Sequence, residues 1–178
     1  FPLFKLKNFE LEIFNEFLKK NDIYFFYSFH MAKHPNKIPN NLERIIYIDR
    51  DKYPFYDTCA FMCEVDILIN DYSSTSTDFG LLNRPQIFFM PDFERFDEEY
   101  VFTEEYKNDY KKIIPGNEFF NYSEMISLII KYLNEPIAYQ LKFKEKLAIY
   151  LSRYYDTNKG DSCQKFKKFI IEKMKNFN

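Results

Sequence analysis

The sequence predicts an α/β domain with a Rossmann-like parallel sheet and helices on both faces. Three observations carry this reading. Apolar runs of strand length alternate with stretches of helical periodicity, the pattern of a parallel sheet with crossover helices. Pro, Asn and hydroxyl-rich segments separate the runs. Polar residues also follow each apolar run, which places them together beyond the carboxyl ends of the strands, where such sheets bind ligands.

The elements follow in order. Phe9 to Lys20 carries Phe9, Leu11, Ile13, Phe14, Phe17 and Leu18, a helical pattern. Ile23 to Phe29 reads as an aromatic strand. Asn36 to Asn41, flanked and interrupted by Pro35 and Pro39, is loop. Arg44 to Ile48 is the second strand, Tyr56 to Cys63 a short helix, and Val65 to Asn70 the third strand. Ser74 to Leu82 is a helix that ends at Asn83-Arg84-Pro85, and Gln86 to Met90 is the fourth strand. Asp92 to Asp109 holds eight acids against Arg95 and Lys107, and reads as an excursion too polar for the core. Tyr122 to Leu133, Ala138 to Tyr150 and Ser162 to Phe177 are helices. The last two are expected to pack on the body of a single domain spanning residues 1–178.

The 178 residues are enough for one domain with a real core, and the net charge of -2 does not suggest a nucleic-acid binder. The 22 Phe and 15 Tyr, with no Trp and 3 Gly, look partly like nucleotide bias, so single aromatics receive little functional weight. Cys59, Cys63 and Cys163 read as buried thiols of a reducing compartment. No apolar run approaches ~20 residues, so no membrane-spanning helix is expected, and no signal peptide is visible. The chain opens on Phe1-Pro-Leu-Phe4 without an initiator Met, as a piece of a longer protein would.

Asp71-Tyr-Ser-Ser-Thr-Ser-Thr-Asp78 is the candidate site. It lies between a strand and a helix, where exposed backbone N–H groups, the helix dipole and hydroxyl donors favour a phosphate. Ser73, Ser74 and Thr75 are the candidate cradle. Asp71 either orients the turn or binds a donor hydroxyl. Asp78, one turn into the helix, either joins the site or anchors the turn from behind. His34, fixed by Pro35 at the exit of the first strand, could pair with a phosphate or transfer a proton. His30 reads as structural. Asp49-Arg-Asp51 has an Asp-x-Asp spacing but reads as a solvated loop. Residues 140–178 carry ten Lys or Arg against four acids. Within them, Gln164 to Phe177 places Phe166, Phe169, Ile170, Met174 and Phe177 at helical spacing, for docking on the domain or for an anionic surface.

Val65-Asp-Ile-Leu-Ile-Asn-Asp-Tyr-Ser-Ser74, then Asp78-Phe79 and Asn83-Arg-Pro-Gln-Ile-Phe-Phe89, resembles the CDP-glycerol glycerophosphotransferase family of teichoic acid and capsule polymer polymerases. His34-Pro35, Asp92-Phe-Glu-Arg-Phe96, Ile114-Pro-Gly116 and the Asp156 to Ser162 region fall in the family's order. Thr77 stands where the family has a bulky aromatic, and Gly160-Asp161 inverts the usual order. The resemblance implies the C-terminal, donor-binding half of a two-domain GT-B transferase, with the acceptor half upstream. It implies transfer of glycerol phosphate, or another alditol phosphate, from a CDP-activated donor to a hydroxyl of a cell-surface polymer. In that reaction His34 would be catalytic, and Asp71, Ser73, Ser74, Thr75 and Asp78 would bind the donor. No cofactor is expected besides the donor, CDP-glycerol, and the sequence specifies no metal. The expected partners are the nucleotide-activated donor and a polymeric or lipid-linked acceptor, with peripheral contact of Gln164 to Phe177 at the inner face of the cell membrane. A GT-B glycosyltransferase using a nucleotide sugar, and a non-catalytic polyanion-binding domain, are the alternatives.

Overall fold

The computed structural model describes residues 3, 6–27, 42–48, 57–91, 104–155 and 160–175, with the backbone alone at 104–108. In chain order these form α1 (Leu11–Lys20), β1 (Phe25–Tyr27), β2 (Ile45–Tyr47), α2 (Thr58–Met62), β3 (Leu68–Asn70), α3 (Thr75–Gly80), β4 (Gln86–Phe88), α4 (Glu104–Ile113), β5 (Asn117–Glu118), α5 (Tyr122–Asn134), α6 (Pro136–Tyr154) and α7 (Ser162–Lys175). Every ladder among them is parallel. They fall into a pair, β1-β2, and a triplet, β3-β4-β5.

One buried cluster joins the two sheets: Tyr27 and Ile45 from the pair meet Ile87, Phe89 and Phe119 from the triplet. Phe14 and Leu18 of α1 close it on one side, and Met125, Ile129 and Tyr132 of α5 contribute from another. Residues that recur every three or four positions share one helix face, and that face is the one buried here. α1 ends on Asp22, at φ 52°, with the N–H of Ile23 reaching back to the carbonyl of Leu18. That is the αL stop that satisfies orphan carbonyls. Arg44 then fastens the start of β2 to this corner: its guanidinium is 2.8 Å from Asp22 and stacks 4.3 Å from the Tyr24 ring centroid.

β4 is the middle strand of the triplet and is buried throughout, as a parallel strand covered on both faces must be. A second cluster forms around Phe88, Met90, Tyr110, Ile113, Ile114 and Tyr150. Residues 104–113 form a helix where the sequence suggested only a polar excursion up to Asp109. The acids lie on its early turns, while Tyr110, Ile113 and Ile114 supply the buried end. β5 was not anticipated either. Two residues are too few to show an alternating pattern, and backbone pairing with β4 alone defines the strand. The approach is close at Gly116, where an added Cβ would sit 2.2 Å from the carbonyl oxygen of Gln86.

One further expectation fails. The three cysteines are exposed, because α2 is a short helix with only Met62 turned inward and α7 buries nothing. The two C-terminal helices differ in burial. α6 buries Tyr139, Phe143, Leu147 and Tyr150, whereas no residue of α7 is buried. Among the described residues no helix is long and apolar enough to cross a membrane.

Candidate functional site

The three strands of the triplet end level with one another: Asn70 pairs with Phe88, and Phe88 with Glu118. The Asp71–Ser74 turn leaves this rim from the end of β3 and enters α3 directly. Asn70 is buried, and its side-chain amide donates to the carbonyls of Asp71 (3.3 Å) and Ser73 (3.0 Å). The Asp71 carboxylate accepts the Ser73 N–H at 2.7 Å, closing an Asx turn. Tyr72 packs against the second cluster, and the Tyr110 hydroxyl reaches the Asp71 carbonyl at 3.5 Å. The turn is thus held from below by an amide and two tyrosines.

The hydroxyls divide into two sets. Ser73 and Ser74 are exposed, and Ser73 Oγ shares a hydrogen bond with Thr75 Oγ1 (3.1 Å). Ser74 is the N-cap residue of α3, yet its side chain makes no capping bond. Among the described residues neither its N–H nor its hydroxyl is engaged. The N–H groups of Ser76 and Thr77 turn back to the carbonyls of Ser73 and Ser74. Ser76 and Thr77 themselves are buried: Ser76 donates to Gln86 Oε1 at 2.6 Å, and Thr77 lies 3.4 Å from the Tyr150 hydroxyl. They fix α3 to β4 and α6. The usable surface of the predicted cradle is therefore Ser73, Ser74 and the edge of Thr75, narrower than three residues with all their N–H groups.

Asp78 is exposed and accepts a 2.5 Å hydrogen bond from Tyr155, just past the end of α6. Partial burial first, and the adjacent Asp78 carboxylate second, push the Tyr155 hydroxyl up to about 12. Local desolvation first, and the nearby Asp78 carboxylate second, also raise the thiol of the exposed Cys59. Asp71 acts within the turn and Asp78 ties α3 to the end of α6. His34, His30, Asp49, Asp51 and Asp92 lie outside the described residues. No group of three His, Cys, Asp or Glu among the described residues could hold a metal. An open groove of about 620 Å³ sits further along the rim, past β5, lined by Glu118, Phe120, Asn121, Ser123, Glu124 and Leu128. It does not include the serine turn.

A sequence profile of the CDP-glycerol:poly(glycerophosphate) glycerophosphotransferase family matches residues 3–172. The chain belongs to that family. Among curated relatives, the chain is 29% identical to the teichoic acid glycerol-phosphate transferase of Staphylococcus aureus, over 60% of its own length and 26% of the relative's. It is 36% identical to the teichoic acid poly(ribitol-phosphate) polymerase of Bacillus spizizenii over 42% and 12% of the two lengths. The solved structure of the wall teichoic acid polymerase TagF superposes with a TM-score of 0.63 at 25% identity, covering 94% of this chain and 39% of that one. A TagF variant soaked with CDPG matches with the same TM-score, identity and coverage. The architecture is thus that of part of a GT-B-like transferase, and the chain spans well under half the length of these relatives.

Sequence reasoning missed the tyrosines that support the site. Tyr72, Tyr110, Tyr150 and Tyr155 were lost among 15 tyrosines discounted as compositional bias. Tyr72 alone carried a signal, its place inside the Asp-Tyr-Ser-Ser run of the glycerophosphotransferases.

Proposed function

We propose that this chain supplies the donor-binding half of an enzyme that transfers glycerol phosphate, or another alditol phosphate, from a CDP-activated donor. The acceptor is a hydroxyl of a cell-surface polymer such as teichoic acid. The acceptor oxygen attacks the phosphorus next to the alditol, and CMP leaves. The protein's work in such a displacement is positioning and charge stabilisation. The observation that carries the reading is family membership over nearly the whole chain, together with an exposed hydroxyl turn at the end of a parallel strand. TagF, the structural neighbour, has been studied with CDPG, which favours a CDP-linked donor over a nucleotide sugar.

In this reading the pyrophosphate rests on Ser73, Ser74 and Thr75, next to the unspent N–H of Ser74. Asp71 holds the turn in shape, and Asp78 meets the donor with the carboxylate oxygen that Tyr155 leaves free. His34 neutralises charge on a phosphate oxygen or protonates the leaving group. No cofactor takes part beyond the donor itself. The enzyme works at the cytoplasmic face of the cell membrane, touching it through the last helix. On α7, Phe166, Phe169, Ile170 and Met174 are exposed on one side together with Lys173, with Lys165 and Lys167 at its edges and Lys168 and Lys175 on the opposite face. An amphipathic helix of that kind lies in an anionic lipid interface.

Calorimetry of the chain with CDP-glycerol, CMP, UDP-glucose and GDP-mannose tests the donor assignment. Saturable binding of CDP-glycerol and CMP is expected, with none of the sugar nucleotides. Preference for a sugar nucleotide would instead establish the glycosyltransferase alternative.

A further inference from the structure

We propose that a lysine-lined cleft between α4, β5 and α6 binds a phosphodiester of the polymer being extended. The inference rests on the function proposed above and adds to it a seat for the acceptor chain on this half of the enzyme. The cleft holds about 300 Å³ and is lined by Lys111, Lys142 and Lys146, with Ile114, Asn117, Glu118 and Phe143 among the other walls. That volume is at the lower end for small-ligand sites, about 300–1,000 Å³.

Lys142 and Lys146 stand one turn apart on the same face of α6. Like charges at that spacing oppose helix formation unless something neutralises them. Among the described residues nothing does. No described carboxylate lies within ion-pair distance of either ammonium, and Glu145, three residues after Lys142, does not pair with it. Lys142 is also held in place. Its Nζ donates to Asn117 Oδ1 at 3.2 Å and sits 5.0 Å from the Phe143 ring centroid. The same amide oxygen accepts the Tyr132 hydroxyl, so Asn117 cannot swing away without breaking two bonds. One N–H of Lys142 is spent on the amide and two are left.

A fixed ammonium and a second, unpaired one a turn away suit an anion with diffuse charge. Lysine binds phosphate as a point charge, without the fork geometry arginine demands. The single carboxylate in the wall, Glu118, leaves the lining net positive. No residue of the cleft belongs to the Ser73–Thr75 turn. An enzyme that lengthens a polyanion one unit at a time must hold donor and acceptor together, and an alditol-phosphate polymer carries one negative charge per repeat. A phospholipid headgroup or free phosphate shares that chemistry, so the test separates the sources.

The chain and its Lys142→Gln/Lys146→Gln variant are titrated with a short glycerol-phosphate oligomer, inorganic phosphate, CDP-glycerol and vesicles containing phosphatidylglycerol. Oligomer affinity is expected to fall at least about fivefold in the variant, the effect of two exposed ion pairs. CDP-glycerol and vesicle binding are expected to stay unchanged, and Lys142→Arg/Lys146→Arg to restore the oligomer. Oligomer binding indifferent to the lysines overturns the inference, as does a variant that loses vesicles or phosphate but keeps the oligomer. A chain that binds the oligomer through the lysines but ignores CDP-glycerol supports the cleft and rejects the donor reading alone.

Discussion

Single side chains decide how the serine turn is presented. Ser73 is exposed and its N–H is held by Asp71, so Ser73→Ala keeps the Asx turn while removing a hydroxyl that otherwise bonds Thr75. In an enzyme that joins this chain to an acceptor half, the expected loss of transfer is at least roughly tenfold, with an unchanged circular dichroism spectrum. His34→Ala should do the same. Near-wild-type rates for either would remove that residue from the mechanism. Tyr155 gives a pH signature. The folded chain keeps its phenolic proton up to about pH 12, above the usual tyrosine value of 10.0. The unfolded chain releases it first, so this contribution to stability is complete below pH 10 and is lost as pH rises towards 12. Urea midpoints measured from pH 8 to 12 should show that decline in the wild type, and a shallower one in Tyr155→Phe. Identical slopes would mean that the Tyr155–Asp78 bond does not matter to the fold. The turn through Asp71, Ser73 and Ser74 was legible in the sequence because its bonds are local. Tyr155 was not, because its partner lies 77 residues away.

Elements owe their limits to contacts that periodicity does not report. Among the described residues the strands were read two or three residues too long, since apolar runs continue past the ladder. Phe89 and Met90 are buried beyond the end of β4, and the Phe89 N–H still donates to the Asn70 carbonyl at 2.8 Å. α3 stops at Gly80, where an added Cβ would lie 3.1 Å from Leu151 and 3.2 Å from Leu147 on α6. Asn83 then adopts φ 51° and Pro85 bars further helix, the stop signalled by Asn83-Arg84-Pro85. β5 is the case the sequence did not show. Its position depends on Gly116 lying against the backbone of β4, so Gly116→Ala must push the two strands apart. The expected loss is at the upper end of the about 1–3 kcal/mol typical of overpacking, read from denaturant midpoints. A stability within about 0.5 kcal/mol of wild type would show that β5 is free to shift.

At the scale of the molecule, one aromatic and aliphatic core spans both sheets, and α7 stands outside it. Removing residues 160–178 should therefore leave the melting temperature within about 2 °C of the full chain, as deletion of a segment whose described residues bury no side chain would. The same deletion should abolish binding to anionic vesicles, which sedimentation at low and high salt can follow. A fall of about 5 °C or more would place α7 on the folded body, and retained vesicle binding would move the membrane contact elsewhere.

By itself the sequence determined the class of fold, the family and the place of the serine turn. Those depend on neighbours in the chain: apolar runs that must be buried, turn residues that must end them, and a motif ten residues long. The tertiary structure alone decided which hydroxyls of that motif stay free. Ser76 and Thr77 have the same chemistry as Ser73 and Ser74, but β4 and α6 lie over them and take their hydrogen bonds. It also decided that the last helix is left bare, and that Lys142 and Lys146 share a cleft with β5. Burial and charge proximity follow from which surfaces meet, and distant segments carry no local trace of the partner they will find.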